Sequence, residues 1–219
     1  MEEVESMWQR LSLSAEEEAG LEVPSLPGVS KSLLAGKFLS HRIINKEAVL
    51  RTFKPLWRTR KPFHIYDVGE NKMIFEFETD TDLERVLEYE PWTYDKHLVI
   101  FQRIDKASMV TSLAFNECNF WAQIHDLPIK SMTPELGMSL GNSIGKVVCV
   151  TEPNADGVIG RFLRVRVTLD VTKPLSRGRK LKENGVVVGW ASFRYKRLPN
   201  FCYWCGCLLH EDRECEVWL

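Results

Sequence analysis

Near the end of the chain, four side chains able to ligate a metal fall within fourteen residues: Cys202, Cys205, His210 and Cys215, spaced C-x2-C-x4-H-x4-C. A stretch that short cannot bury a core of its own, so a bound metal would have to supply its folding energy. Three thiolates and one imidazole can close a tetrahedral zinc site, and the two-residue gap lets two cysteines hold one ion from a tight turn. Gly206 supplies the permissive backbone for such a turn. Cys207 is off the spacing and is expected to be a spectator. The other reading is a set of incidental thiols in a reducing compartment. The N-terminus, MEEVESMWQR, is acidic where a secretory signal would be basic and then apolar. The chain is therefore expected inside the cell, in nucleus or cytoplasm with the nucleus favoured. A closed four-ligand site keeps no open position for water, so the one zinc ion expected here is structural.

Charge is distributed unevenly. The formal balance is -1 over 219 residues. By segment it runs -6 over residues 1–30, +2 over 31–110, -3 over 111–156, +9 over 157–199 and -3 over the last twenty. The basic segment holds eleven Lys and Arg against Asp170 and Glu183. Such clustering is the electrostatic footprint of a polyanion site, or else a solvated basic surface. The longest apolar runs, residues 98–101 and 147–150, fall far short of the roughly 18 residues a membrane span needs, so no membrane partner is expected.

Residues 1–30 read as an acidic, flexible leader in which Val4, Met7, Trp8 and Leu11 share one helical face. Residues 31–106 read as an α+β domain. A strand over 32–40 precedes a helix capped by Asn45, with Val49, Leu50 and Phe53 on one face and Pro55 as its stop. Strands over 63–68 and 72–77 are joined at Gly69-Glu70-Asn71. Thr81 and Glu84 then predict a capping box for a helix burying Leu83, Val86 and Leu87, and a strand over 97–102 follows. The order β-α-β-β-α-β is that of the ferredoxin-like split βαβ fold, which RNA-recognition modules share. The RNA-recognition signature is met only at Phe77, with Lys72 and Ile74 where stacking aromatics would stand.

Residues 117–199 read as a second, smaller, β-rich α+β unit. A strand over 120–125 leads to a helix started by Thr133-Pro134, with Leu136, Leu140 and Ile144 on one side and Gly145 as its end, then a strand over 146–150. Residues 162–171 alternate cleanly, placing Arg164 and Arg166 on one face. The last strand, 186–197, sets Arg194 and Lys196 on one face, and Lys173, Arg177, Arg179 and Lys180 fall in an expected basic loop between these two strands. Residues 200–216 are the CCHC knuckle.

No nucleotide-binding, zinc-protease or serine-hydrolase motif occurs, and Asp80, Asp82 and Glu84 read as a helix start. No enzymatic activity and no small-molecule substrate are expected. Tyr203 and Trp204, between the first two ligands, can stack unpaired bases or cover a small core. Glu211, Asp212 and Glu214 would repel phosphate, so attraction must come from the basic segment upstream.

The segments 162–167, 172–178, 193–195 and 198–202, with Trp121 to Pro128 and Ile144 to Val147, resemble a plant retrotransposon-derived family. Its members join an N-terminal domain of unknown function to a CCHC zinc knuckle and are similar to the gag-like first reading frame of non-LTR elements. The resemblance spans roughly residues 33–215. It implies nucleic-acid binding and zinc ligation by Cys202, Cys205, His210 and Cys215. The expected function is zinc-dependent binding of a single strand, RNA favoured over DNA, by Tyr203, Trp204, Arg164, Arg166, Lys173, Arg177, Arg179, Lys180, Arg194 and Lys196. The alternative is a protein-interaction module, self-association included, whose zinc only stabilises the C-terminus. The chain ends four residues after Cys215, as expected of a truncated copy or a fragment of a longer element protein.

Overall fold

A computed structural model describes residues 32–104, 113–151, 161–210 and 212–217, together with Ser14 and Ala19. The leader's amphipathic face at Val4, Met7, Trp8 and Leu11 lies outside the described residues. The chain divides between Met1–Ser30 and Lys31–Leu219, and the second unit holds every element below.

The first half runs β1 (Ser32–Phe38), α1 (Lys46–Trp57), β2 (Phe63–Gly69), β3 (Lys72–Phe77), α2 (Asp80–Glu88), β4 (Trp92–Tyr94) and β5 (His97–Ile104). Its antiparallel sheet has the order β2-β3-β1-β5-β4. The first four strands in that list follow the split βαβ order. Asn45 caps α1 by accepting from the backbone N–H groups of Glu47 and Ala48. The helix passes through Pro55, the expected stop, and ends at Trp57, with Arg58 left-handed at φ 48. Trp57 gives the extra turn its reason. It is buried and stacks on Phe53 at 4.6 Å, within a cluster that includes Phe63, Phe75 and Phe101. Leu50 sits at the rim instead, 36% exposed.

The cap of α2 is Thr79 rather than the expected Thr81. The Thr79 hydroxyl accepts from the Asp82 N–H at 3.3 Å and donates to its carboxylate at 3.0 Å. That carboxylate also accepts from the N–H groups of Arg60 and Lys61, so Asp82 is a buried fastener. Arg103 pairs with Asp80 and Glu84. On β3, Met73, Phe75 and Phe77 are buried while Lys72, Ile74 and Glu76 alternate on the other face. The strand's aromatics thus serve the core.

The second half runs β6 (Glu117–His125), α3 (Pro134–Asn142), β7 (Lys146–Thr151), β8 (Leu163–Asp170), β9 (Gly178–Glu183) and β10 (Val186–Tyr195). Its sheet order is β7-β8-β6-β10-β9. Strand for strand this repeats the first sheet, down to a short edge strand hairpinned to the last one through two left-handed residues: Asp95-Lys96 in one half, Asn184-Gly185 in the other. The repeat is incomplete. Where α2 joins β3 to β4, Val171 to Arg177 joins β8 to β9 without a described helix. Part of the expected basic loop is therefore edge strand β9. Thr133 caps α3 with Pro134 in its first turn, and the helix lies so close to the sheet that a Cβ on Gly141 would come within 2.6 Å of Val147 and 2.8 Å of Val165. No helix among the described residues is long and apolar enough to cross a membrane.

The two halves meet in the second core, which takes in Leu98 and Ile100 of β5, and at the end of α2. The Arg166 guanidinium donates to the carbonyls of Leu87, at 3.0 Å, and Glu88, while Arg197 donates to Tyr89 at 2.6 Å and Glu90 at 3.3 Å. Two cations thus sit on the carbonyls at a helix C-terminus, where its dipole favours positive charge; the Leu87 carbonyl also accepts the Glu90 N–H at 3.3 Å. Asn119 donates to the buried Glu90 carboxylate at 2.8 Å. Burial pushes this carboxyl up to about 7, against the Asn119 hydrogen bonds and the Arg166 charge. Above its unfolded value of 4.5 the native chain keeps a proton that the unfolded chain has released, so Glu90's contribution is full below 4.5 and is lost as pH rises to about 7. Glu90→Gln should match wild type near about pH 4.5 and exceed it by up to about 3 kcal/mol at about pH 8. Urea unfolding at both pH values measures this, and equal differences at the two would refute the buried acid.

Candidate metal centre and nucleic-acid interface

The knuckle begins where the backbone leaves the second sheet. Cys202 N–H donates to the Cys207 carbonyl at 2.9 Å and Gly206 N–H returns to the Cys202 carbonyl at 2.8 Å, with Gly206 left-handed at φ 78. This tight turn points Cys202 and Cys205 the same way. His210 and the buried Cys215 complete the set, and the four ligand atoms all lie within 4.8 Å of one another. A tetrahedral zinc at about 2.3 Å from sulfur sets its ligands roughly 3.8 Å apart, so the donors need only close slightly. Cys205 Sγ and His210 Nε2 are already 3.2 Å apart. Three sulfurs with one imidazole suit zinc, and Cys207 stays outside the cluster.

The knuckle is built into the body. Leu208 is 4% exposed and belongs to the second half's core, where Leu175, Leu198 and Phe201 also pack. Leu175 N–H donates to the Gly206 carbonyl and Asn200 N–H to the Lys96 carbonyl, both at 2.9 Å. Two of the acids expected to repel phosphate have local roles: Asp212 accepts the Tyr203 N–H at 2.6 Å, and Glu214 lies 3.0 Å from the His41 ring. Glu211 lies outside the described residues.

Tyr203 and Trp204 are 77% and 55% exposed. With Phe201, whose ring centroid is 4.6 Å from that of Tyr203, they flank a groove of about 540 Å3 against β10. Arg177 and Arg194 line the same groove, so the fold brings two of the expected cations to the expected aromatics. Tyr195 braces the wall by donating its hydroxyl to the Ser176 carbonyl at 2.8 Å. On the sheet's outer face Gln123 is register partner to both Arg164 and Arg194, and Arg164 lies 4.2 Å over the Trp121 ring. Trp121 is an aromatic that the sequence reading did not single out. Its alternation with buried Phe120 and Ala122 was the available signal.

The remaining expected cations are dispersed. Lys173 pairs with Asp170 at 2.9 Å and Arg179 donates to the Ser143 carbonyl at 2.9 Å. Lys180 and Lys196 are exposed away from the groove lining. Arg166 departs from expectation: it is 8% exposed and holds the α2 carbonyls. Strand alternation puts it on the same face as Arg164, but the end of α2 covers that part of the face.

Comparisons with known proteins agree with this layout. The profile of a domain of unknown function (DUF4283) matches residues 28–111, which hold the whole first sheet. That of a zinc knuckle matches residues 169–217, taking in the β9–β10 hairpin as well as the four donors. A search of curated proteins finds no match to the chain. Among solved structures the chain is similar to Sex-lethal RNA recognition domains 1 and 2 from Drosophila melanogaster, at 14% identity over 76% of this chain and 87% of that one, TM-score 0.27. It is also similar to the first two RRM domains of yeast poly(U) binding protein Pub1, at 13% identity over 75% and 98%, TM-score 0.26. Likenesses at those TM-scores carry no weight for fold or function.

Because the knuckle shares the second core, metal removal should be felt beyond the last twenty residues. Cys202→Ser is expected to lose the zinc and to lower the melting temperature of the whole unit, whereas Cys207→Ser should keep one zinc per chain and the wild-type melting curve. Metal analysis with thermal unfolding checks both. Zinc loss by the Cys207 variant would overturn the ligand assignment.

Proposed function

We propose that this chain is a non-enzymatic, zinc-dependent nucleic-acid-binding protein that holds an unpaired strand, RNA in preference to DNA, between β10 and the knuckle. One observation carries the reading: the groove's lining sets the exposed Tyr203 and Trp204 rings beside Arg177 and Arg194. Aromatic platforms and a cationic track are the two components that single-strand binding combines. The zinc-knuckle match supports the same class. In this reading Tyr203 and Trp204 stack bases while Arg177 and Arg194 hold phosphates. Arg164, Lys173, Arg179, Lys180 and Lys196 spread the attractive field over the second sheet, and Arg166 keeps the halves joined. The domain order supports a retroelement-derived, gag-like origin, and reduced ligand thiols fit an intracellular setting.

A second role, docking of a protein partner or another copy, is favoured by the β9–β10 hairpin. Val186, Val187, Val188 and Trp190 there are each between 47% and 66% exposed.

Anisotropy of a labelled single-stranded RNA across a salt series, with and without a zinc chelator, tests the principal reading. Replacing Arg177 and Arg194 with Gln should lower the slope of log affinity against log salt by about 1.4, since each phosphate contact on a single strand contributes about 0.7. Trp204→Ala should cost about 1–3 kcal/mol of affinity. Arg166→Ala should lower stability and leave the salt slope unchanged. Folded, zinc-loaded protein that binds no RNA at low salt would overturn the reading and leave the partner-docking role.

A further inference from the structure

Tyr203 separates two grooves. On the side away from Arg177 lies a larger depression of about 960 Å3, between the knuckle and the first half of the chain. Leu198, Phe201 and Tyr203 line both. The larger one adds Trp92, Lys96, Arg197 and Arg213, so aromatic surface and positive charge recur on this side in the same combination. Its volume is near the top of the roughly 300–1,000 Å3 range of ligand sites.

The charges are unequal in what they can do. Arg197 is fixed by the carbonyls of Tyr89 and Glu90 and lies 5.7 Å from the Trp92 ring. Asp212, the groove's carboxylate, accepts the Tyr203 N–H. Lys96 and Arg213 are exposed, one on the β4–β5 turn and the other on the short 3-10 turn Asp212–Glu214 of the knuckle. Three cations against one engaged carboxylate make the depression attractive to an anion, and the ring of Tyr203 offers a π surface at the boundary of both grooves.

We propose that this groove is a second nucleotide subsite, so that a single strand of RNA crosses Tyr203 from the Arg177 and Arg194 side to the Lys96 and Arg213 side. The inference rests on the nucleic-acid reading above. It gives the first half of the chain a part in binding through its β4–β5 turn, not through the sheet face that carries Lys72 and Ile74.

The test compares single-stranded RNAs of about four and about twelve nucleotides, within the site sizes that single-strand binders show. Zinc-loaded wild type should favour the longer strand. Lys96→Asn with Arg213→Gln removes two of the groove's cations and leaves the carbonyl-bound Arg197 in place, and asparagine tolerates the left-handed backbone at position 96, φ 66. This double variant, with wild-type zinc content and melting temperature, should still bind the short strand. Its preference for the longer one should vanish and its salt slope there should fall by about 1.4. A wild type that binds both lengths equally, or a variant whose slope on the longer strand is unchanged, overturns the second subsite and leaves the first groove standing. Binding of neither length by wild type overturns the nucleic-acid reading and this subsite with it.

Discussion

The arrangement depends on how the end of α2 is satisfied. The carbonyls at the end of a helix that abuts a second sheet draw donors, and here two arginines from distant sequence, Arg166 on β8 and Arg197 just after β10, donate to them. Neutral donors could fill the same hydrogen bonds, but guanidinium adds favourable charge at the negative end of the dipole and reaches two carbonyls at once. Arg197 also stands five residues before Cys202. Fixing it therefore fixes where the knuckle begins, and with it both walls beside Tyr203.

The repeated sheet order explains why there is a groove to fill. In the first half, α1 and α2 share one face of the sheet, and their buried residues Val49, Phe53, Leu83 and Val86 close the aromatic core. The second half has α3 but only the short connection Val171 to Arg177 where a second helix would come. Leu175, Leu198, Phe201 and Leu208 pack into the second core instead, three of them from the knuckle or its approach. The uncovered margin along β10, lined by Phe193 and Tyr195, is the smaller groove.

Much of the fold was legible locally. A β-rich run after Gly69-Glu70-Asn71 marked β3 and alternation marked β8, Asn45 and Thr133-Pro134 marked helix starts by side-chain chemistry, and the ligand spacing gave the metal cluster without any tertiary information. The failures share a cause: the deciding partner was far away in sequence. Pro55 reads as a stop until Trp57 finds a buried aromatic cluster. Thr81 and Thr79 are equivalent caps until Asp82 is tied to the backbone of Arg60 and Lys61. The strand β9 is the exception, since its partner β10 follows after a two-residue turn: its charges and Pro174 just ahead mask it. Arg164 and Arg166 are indistinguishable in a strand pattern, and both lie over the Trp121 ring, at 4.2 and 5.8 Å, yet Arg166 also grips the end of a helix 78 residues away.

These assignments also divide the labour of the proposed site between metal and charge. The last twenty residues carry -3, so the knuckle by itself presents a net repulsive field to a polyanion. Its contribution is geometric: the turn from Cys202 to Gly206, which a bound zinc would hold, leaves Tyr203 and Trp204 exposed, while Asp212 accepts the Tyr203 N–H. The attraction comes from the body, through Arg177 and Arg194 on one side of Tyr203 and Lys96 on the other, with Arg213 the knuckle's own exception. A knuckle on a free tether could not keep aromatic and cationic surfaces in register. Burying Leu208 in the second core and tying Asn200 to Lys96 is what lets a net acidic metal turn work as part of a basic surface.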